Sequence, residues 1–222
     1  MVMAVPIPMP IDATDILRLT QWLSPSFPVS AYAYSHGLEA AIARGDIRKS
    51  DDLAAWIRAV LEAGTGRNDA ILLALAHRGE MEQEELIDLA EALSSSRERL
   101  EETRAQGHAF ALTLSAIEDI DIPPAPYPVA IGIAARGLSL PSEEVIKLFL
   151  HAFASNLVSV AVRFVPLGQS EGQAVLSRLH GLIAAMAEMA AKASIDDLGG
   201  CVFGADLAAM EHEDMEVRIF RT

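Results

Sequence analysis

The chain has 222 residues, of which 51% are hydrophobic but only 5% aromatic, and its formal net charge is −14. Such an acidic surface is a poor partner for nucleic acid or for an anionic membrane, and we expect neither as a partner. Alanine and leucine supply most of the apolar content, which favours helices packed on helices over a sheet. We therefore predict an all-α, single-domain helical bundle of about ten helices over residues 1–222.

The ends of the chain and its cysteine content bear on where the protein works. Cys201 is the only cysteine, so we predict neither an intrachain disulfide nor a multi-cysteine metal site. Residues 1–11 hold three prolines and no basic residue, so they do not resemble a signal peptide and are expected to form a flexible lead. No apolar run reaches the ~20 residues of a membrane span without interruption. These features favour a cytoplasmic protein.

Two helices are predicted in the first fifth of the chain. The first lies within residues 12–23, after which two prolines prevent helix. The second is expected from Ser30 or Ala31 to Gly45, a residue type that commonly ends helices. At its start, helical spacing would place four polar side chains on one face, namely Tyr32, Ser35, His36 and Glu39.

The middle of the chain continues the helical pattern. Further helices are predicted at 50–63, 68–77 and 81–93, followed by a long one that begins after residues 94–96. Within the long helix, Arg97 with Glu101 and Glu101 with Arg104 have the spacing of surface ion pairs. Four prolines within residues 123–128 then form a turn, which we do not interpret as a domain boundary.

A polar stripe interrupts the apolar helix that precedes Pro166. Asn156, Ser159 and Arg163 lie at i, i+3 and i+7, so they share one helical face. A guanidinium there needs a partner, and Glu171 or the carbonyls of the following PLGQ turn are the nearest candidates. The alternative is a core helix whose Arg163 simply reaches past the helix end.

The last third contains one long helix and a tail. The helix is expected from about Ser170 to Ala193, and its segment GLIAAMAEMAAKA is nearly apolar all round, which places it at the centre of the bundle. The tail, residues 199–222, begins with two glycines and is acidic from Glu211 to Glu216. We expect it to be disordered or loosely docked until a partner binds. The alternative is a tail that packs on its own bundle.

Catalytic and metal-binding patterns are mostly missing from the sequence. None of the six histidines pairs with another histidine or cysteine at metal-ligand spacing. The closest arrangement is His212 between Glu211 and Glu213, which could hold a divalent ion transiently. No phosphate-binding glycine loop and no hydrolase nucleophile motif occurs. We therefore predict no catalytic residues, no metal ligands and no bound cofactor.

Four segments together resemble one known family. In chain order they read LSPSFPVSAYAYSHGLE, ETRAQG, SNLVSVAVRFVPLGQSEGQ and DLAAMEHEDMEVRIFRT, and they are similar to the urease accessory protein UreF family over almost the whole chain. Two positions depart from the family pattern. Ser30 stands where glycine is usual, and Glu211 stands where a basic residue is usual.

The resemblance implies a non-enzymatic, all-α chaperone that forms a homodimer. It would bridge the UreD/UreH-type and UreG-type accessory proteins and regulate the GTPase during nickel delivery to the urease apoprotein. Nickel would be handled in that complex and not held stably by this chain. The implied partner-binding or dimer-interface residues are Tyr32, Ser35, His36, Glu39, Asn156, Arg163, Gln169, Glu171, Gln173, His212, Glu213, Arg218 and Phe220.

Two other classes of function stay open from the residues alone. One is an independent nickel-binding carrier that uses His212 and its neighbouring carboxylates. The other is a helical enzyme with a pocket near Arg163.

Overall fold

A computed structural model describes residues 12–222, so the predicted lead at 1–11 lies outside the described residues. Within 12–222 the chain forms ten α-helices and two short 3₁₀ helices, with no strand, which confirms the predicted all-α class. The α-helices are α1 Ala13–Trp22, α2 Leu38–Arg44, α3 Ser50–Ala63, α4 Thr65–Arg78, α5 Gln83–Ala92, α6 Arg97–Glu118, α7 Tyr127–Ala135, α8 Ser142–Phe164, α9 Gln169–Lys192 and α10 Phe203–His212.

Local capping explains several of the helix boundaries. The Asp12 carboxylate accepts a hydrogen bond from the Thr14 N–H and begins α1, and the Ser96 hydroxyl accepts one from the Arg99 N–H and begins α6. Each of these bonds satisfies a main-chain donor that has no partner inside the helix. Gly45 ends α2 with a positive φ of 81°, a conformation that glycine adopts without strain.

The central helix of the bundle is α4, and not α9 as the sequence pattern predicts. Every residue from Ala70 to Ala76 is buried, and α4 packs against α3, α7, α8 and α9. The apolar segment of α9 is instead partly exposed, with Glu188 and Gly181 on the outer surface. Alanine adds little apolar area, so an alanine-rich segment can lie at the surface at small cost.

The segment before α2 is not the helix that the sequence predicts. Ala31–Ala33 forms one 3₁₀ turn, and Ser30 and His36 both take positive φ values, of 57° and 54°. Gly37 follows in the same region, where a Cβ atom would lie 2.5 Å from the main-chain nitrogen of Ala209. The close approach of α10 to this turn therefore excludes a regular helix here. Ser30 accordingly occupies a conformation that suits the glycine usual in the related family.

The tail is folded onto the bundle. This is the alternative to the disordered or loosely docked tail that the sequence predicts. Residues 203–212 form α10, which packs on α2 and α6. Beyond it, Phe220 and Thr222 are only 5% and 3% exposed. At the start of the tail the Asn68 side chain bonds the main chain of Gly199 and Gly200. The sequence pattern misses this packing because the partners of the tail are polar groups from distant helices.

Two helices, α8 and α9, are long and apolar enough to span a membrane by length and composition. They pack against each other and against α3 and α4. Half of the most apolar window of α8 is buried inside the protein, as expected for a core helix, and such helices are weak evidence for a membrane span.

Candidate functional site

Three buried glutamates form the centre of a polar network that joins three of the four sequence motifs. Glu39 lies on α2, and Glu98 and Glu102 lie one turn apart on α6. Their exposures are 6%, 6% and 1%. We call these three side chains the carboxylate cluster. Buried carboxylates require close partners, because an unpaired buried charge is strongly unfavourable.

Glu39 holds the end of the tail by its main chain. Its carboxylate accepts hydrogen bonds from the N–H groups of Ile219, at 2.9 Å, and Phe220, at 3.0 Å. It also contacts Nε2 of His212 at 3.1 Å. Main-chain N–H groups that are removed from water need a hydrogen-bond acceptor, and here Glu39 supplies it. Glu39 therefore fixes the path of the tail whatever side chains the tail carries.

His212 lies between two members of the carboxylate cluster and is fully buried. Its Nδ1 is 2.7 Å from Glu98, and its Nε2 is 3.1 Å from Glu39. Glu98 also accepts a hydrogen bond from Arg218 of the tail. Both imidazole nitrogens therefore face carboxylate oxygens, and neither presents a free lone pair to a metal ion. Within residues 12–222, no three His, Cys, Asp or Glu side chains form a group that could hold a metal.

Glu102 connects the tail to the N-terminal motif. It is 3.1 Å from Nε2 of His36, 3.2 Å from the Thr222 hydroxyl and 3.4 Å from Nη1 of Arg99. Burial raises the pKa of Glu102, but the charges of His36 and Arg99, together with hydrogen bonds from His36 and the Thr222 hydroxyl, lower it by more, so its net pKa is below the ordinary value.

Asp69 and Arg99 form the adjoining buried ion pair, at 2.6 Å. Burial raises the pKa of Asp69 above its ordinary value despite the opposing charge of Arg99. Burial lowers the pKa of Arg99, but the two neighbouring carboxylates raise it more. Arg99 therefore stays charged and links Asp69 on α4 with Glu102 on α6.

Ser35 and Glu213 complete the attachment of the tail. The main-chain N–H and the hydroxyl of Ser35 both donate to the main-chain oxygen of Thr222. Glu213 accepts hydrogen bonds from the N–H groups of Arg97 and Glu98, the first residues of α6. A carboxylate at a helix N-terminus also interacts favourably with the helix dipole. Of the two departures from the family pattern, Glu211 forms an ion pair with Arg44 of α2.

A second group of the predicted residues surrounds an open cavity of about 450 Å³ beside the carboxylate cluster. The predicted polar stripe of α8 faces this cavity, since Asn156, Ser159 and Arg163 all line it. Further predicted residues at its wall are Tyr32, His36, Gln169 and Gln173. Among the described residues, Nδ1 of His36 and Nη1 of Arg99 are buried without a hydrogen-bond partner.

Arg163 has a different partner from the one that the sequence predicts. The Glu171 carboxylate accepts a hydrogen bond from the Gly168 N–H at 2.9 Å and so caps α9. The Arg163 guanidinium instead lies 6.0 Å from the ring centroid of Phe220, which packs on Phe164 at 5.2 Å. Within residues 12–222 Arg163 donates no hydrogen bond to either of the two predicted candidates, the Glu171 carboxylate, which caps α9, or the carbonyls of the PLGQ turn.

The structure thus separates the predicted residues into two sets. The first set, which we call the buried set, has a buried core of Ser35, Glu39, His212 and Phe220, with half-buried His36 and Glu213 and exposed Arg218 at its edge, and its contacts fix the tail. The open set at the cavity comprises Tyr32, Asn156, Arg163, Gln169 and Gln173, and Glu171 lies apart from both as a helix cap.

Sequence reasoning missed the charged residues of α6 that form the centre of the network. Arg97 pairs with Glu213, and Arg104 pairs with Glu91, so the predicted pairs with Glu101 are not the ones formed in the described part of the chain. The signal for Glu98 and Glu102 was their i, i+4 spacing on the inward face of α6, but an apolar pattern alone does not distinguish them from surface charges.

Within residues 12–222 the fold is all-helical, and most of the predicted polar residues either fix the tail or line the open cavity. Comparison with known proteins identifies the family of the chain. The UreF family model matches residues 47–180. A urease accessory protein UreF of Cereibacter sphaeroides (strain KD131 / KCTC 12085) is 57% identical over 207 residues, covering 93% of this chain and 98% of its own length.

Other relatives show the same name at lower identity. The urease accessory protein UreF of Jannaschia sp. (strain CCS1) is 55% identical over 93% of this chain and 94% of its own length. That of Ruegeria pomeroyi (strain ATCC 700808 / DSM 15171 / DSS-3) is 44% identical over 94% of this chain and 97% of its own length. The chain therefore belongs to the UreF family of urease accessory proteins, as its four motifs indicated.

Proposed function

We propose that this chain is a non-catalytic chaperone that bridges a UreD/UreH-type protein and a UreG-type GTPase. In that assembly it regulates GTP-dependent nickel delivery to the urease apoprotein in the cytoplasm, and nickel is handled in the complex without being held stably by this chain. Its membership of a family named for urease accessory proteins supports the general role. The observation that carries the bridging role is an apolar surface on the tail.

The outer face of α10 is apolar and exposed. Phe203, Leu207 and Met210 lie at i, i+4 and i+7, and their exposures are 81%, 40% and 49%. We call these three side chains the apolar stripe. The opposite face of α10, with Ala208 and His212, is buried against the bundle. A helix that is anchored on one face and apolar on the other is suited to bind a partner protein.

The carboxylate cluster makes this surface rigid before a partner arrives. The tail beyond α10 is held by Glu39 and Glu98, and it presents Val217 and Ile219 at 81% and 73% exposure. Because the segment is already ordered, binding would cost less conformational entropy than docking of a disordered tail. We assign the apolar stripe to the UreD/UreH-type partner, which is the partner that the resemblance implies for the tail.

The cavity on the other side of the carboxylate cluster is our candidate surface for the GTPase. Tyr32 is 57% exposed, and Arg163, Gln169 and Gln173 are exposed around the cavity opening. Tyrosine and arginine are the residue types that dominate interface energetics.

The same protein is expected to be a homodimer. It combines 51% hydrophobic residues with several exposed large apolar side chains, including Ile16 and Leu17 on α1. An obligate interface would bury ~2,000 Å² or more. Sedimentation equilibrium at micromolar concentration should show a dimer, and a species that stays monomeric would contradict this part of the proposal.

The bridging role is tested by the double variant Leu207→Asp/Met210→Asp. Both side chains are exposed, so the fold should persist, while two carboxylates in an apolar contact should weaken binding of a purified UreD/UreH-type protein at least tenfold. Biolayer interferometry measures the affinity, and nickel-dependent urease activity in cells that lack the native protein measures the consequence.

The matched control places the same charges elsewhere. Leu112→Asp/Ile117→Asp alters two side chains on α6 that are 60% and 50% exposed. We expect this control to leave binding of the UreD/UreH-type protein unchanged. Equal binding by the stripe variant and the wild type would refute the assignment of the apolar stripe.

A further inference from the structure

The rings of His151 and His180 lie side by side on neighbouring helices, although 29 positions separate them in the sequence. His151 is on α8 and His180 on α9, and their ring centroids are 5.5 Å apart. The proposed function uses neither residue, and the pair lies outside the carboxylate cluster. Within residues 12–222, neither ring takes part in a side-chain hydrogen bond or an ion pair, so both can act as ligands.

We propose that His151 and His180 form a two-histidine site for a divalent transition-metal ion, with solvent water completing the coordination. Imidazole nitrogen is a ligand that Cu²⁺, Ni²⁺ and Zn²⁺ all accept. Two imidazoles that bind one ion at about 2.0–2.1 Å have ring centroids roughly 5 Å apart. The observed centroid separation of 5.5 Å is close to this value.

The helices that carry the two histidines are fixed by packing. On α8 the residue before His151, Leu150, is fully buried, and on α9 the residue before His180, Leu179, is 1% exposed. The two helices pack along much of their length. A pair of ligands on such rigid elements loses little entropy when a metal binds.

The charges around the site do not oppose a cation. Lys147, one turn before His151, is paired with Glu143 and Glu144 at 3.4 and 2.8 Å. Arg178, two residues before His180, is paired with Asp51 at 2.8 Å. With these cations neutralised, the formal net charge of −14 favours accumulation of divalent ions near the surface.

The test is isothermal titration calorimetry of the full chain, with Cu²⁺ alone in one experiment and Ni²⁺ alone in another. Cu²⁺ should bind more tightly than Ni²⁺. His151→Asn and His180→Asn should each weaken Cu²⁺ binding at least tenfold, and the double variant should weaken it little further, because either substitution already removes the chelate. His108→Asn is the matched control, since His108 is a solitary exposed histidine on α6, and it should leave the affinity unchanged.

Two spectroscopic measurements test the same site directly. Electron paramagnetic resonance of the Cu²⁺ complex should show two imidazole nitrogens in the wild type and one in each single variant. Without any substitution, Ni²⁺ should broaden the ring signals of His151 and His180 in the NMR spectrum before those of other histidines. Unchanged affinity in both single variants, or broadening that begins at another histidine, would overturn the proposal.

Discussion

The end of the tail, residues 212–222, and the polar stretch at 156–173 have similar compositions, since both mix arginine and other polar residues with apolar ones, but their structural roles are opposite. In the tail, His212, Arg218 and the main chain of Phe220 contact the carboxylate cluster. In the polar stretch, Arg163 and Gln173 instead line an open cavity. The first region determines the conformation of the protein, and the second remains available to a partner.

The difference lies in what each region faces. The tail faces α2 and α6, which contribute three buried carboxylates, so its donors find acceptors inside the protein. The polar stretch faces the space between α8 and the turn at 31–33, where no carboxylate except that of Asp69 lines the wall. Polar residues in an apolar sequence therefore indicate a need for partners, and only the tertiary structure determines whether those partners are internal.

The largest effect should come from removing the internal acceptor of the tail. Glu39→Ala leaves the N–H groups of Ile219 and Phe220 without their acceptor and leaves His212 with one carboxylate fewer. Breaking a buried charged network from one side costs ~3–5 kcal/mol. Urea denaturation measures the loss in the free energy of unfolding, and limited proteolysis should show the tail cleaved first.

Two further variants test whether this loss of stability arises from breaking the carboxylate cluster. Glu39→Gln keeps an acceptor oxygen without the charge, so it should lose less stability than Glu39→Ala. Glu188→Ala removes a glutamate that is 61% exposed and paired with Lys192 on the surface, so its stability should stay close to that of the wild type. If Glu39→Ala were as mild as Glu188→Ala, the tail would not depend on the carboxylate cluster.

Much of the fold could be predicted from the sequence, because most helices follow local rules. The positions of α3, α5, α6 and α8 agree with caps, prolines and apolar spacing. The turn before α2 could not be predicted, since its form depends on the approach of α10 to Gly37 from the far end of the chain. The centre of the bundle was also wrongly predicted, because alanine-rich helices such as α9 have similar patterns whether buried or partly exposed.

The sequence predicts which residues belong to the candidate site, but not how these residues are arranged in space. The motifs contain Glu39, His212 and Arg163, but no spacing rule shows that the first two touch each other or that the third lies over Phe220. The contribution of Glu98 to the network could not be predicted from the sequence, for a related reason. A glutamate near a helix start normally indicates a solvated first turn, and the burial of Glu98 depends on His212 and Arg218 of the tail, which lie 114 and 120 residues away.

A smaller effect should arise at the edge of the tail, where Glu213 binds the first residues of α6. Burial raises the pKa of Glu213, but hydrogen bonds from the main chain of Glu98 and from Arg97 lower it further, to below 4.5. The folded carboxyl therefore stays ionised when the unfolded one is already protonated. Its stabilisation is present above pH 4.5 and is lost as the pH falls through the folded pKa.

Glu213→Gln should accordingly reduce the free energy of unfolding at pH 7 by about 1 kcal/mol or less, as expected for a charge at a helix terminus. Thermal melts should show that the difference in stability between this variant and the wild type shrinks as the pH is lowered from 5 to 3. Glu216→Gln, at an exposed position of the same tail, is the matched control and should parallel the wild type at every pH. A constant difference for Glu213→Gln would show that the charge is not what matters.

The smallest effect on stability is expected at Arg163, which is exposed and whose closest described partner is the ring of Phe220. A cation over an aromatic ring at an exposed site contributes ~0.5–1 kcal/mol, so Arg163→Ala should lower the melting temperature only slightly. Arg163→Lys keeps the charge but not the planar group that stacks on a ring.

If the cavity surface binds the UreG-type GTPase, Arg163→Ala should weaken that binding at least tenfold, and Arg163→Lys should weaken it less. Affinity for the UreD/UreH-type protein should be unchanged, because the apolar stripe is not altered. A loss of stability comparable to that of Glu39→Ala, without a change in GTPase binding, would place Arg163 with the buried set and remove the distinction between the two regions.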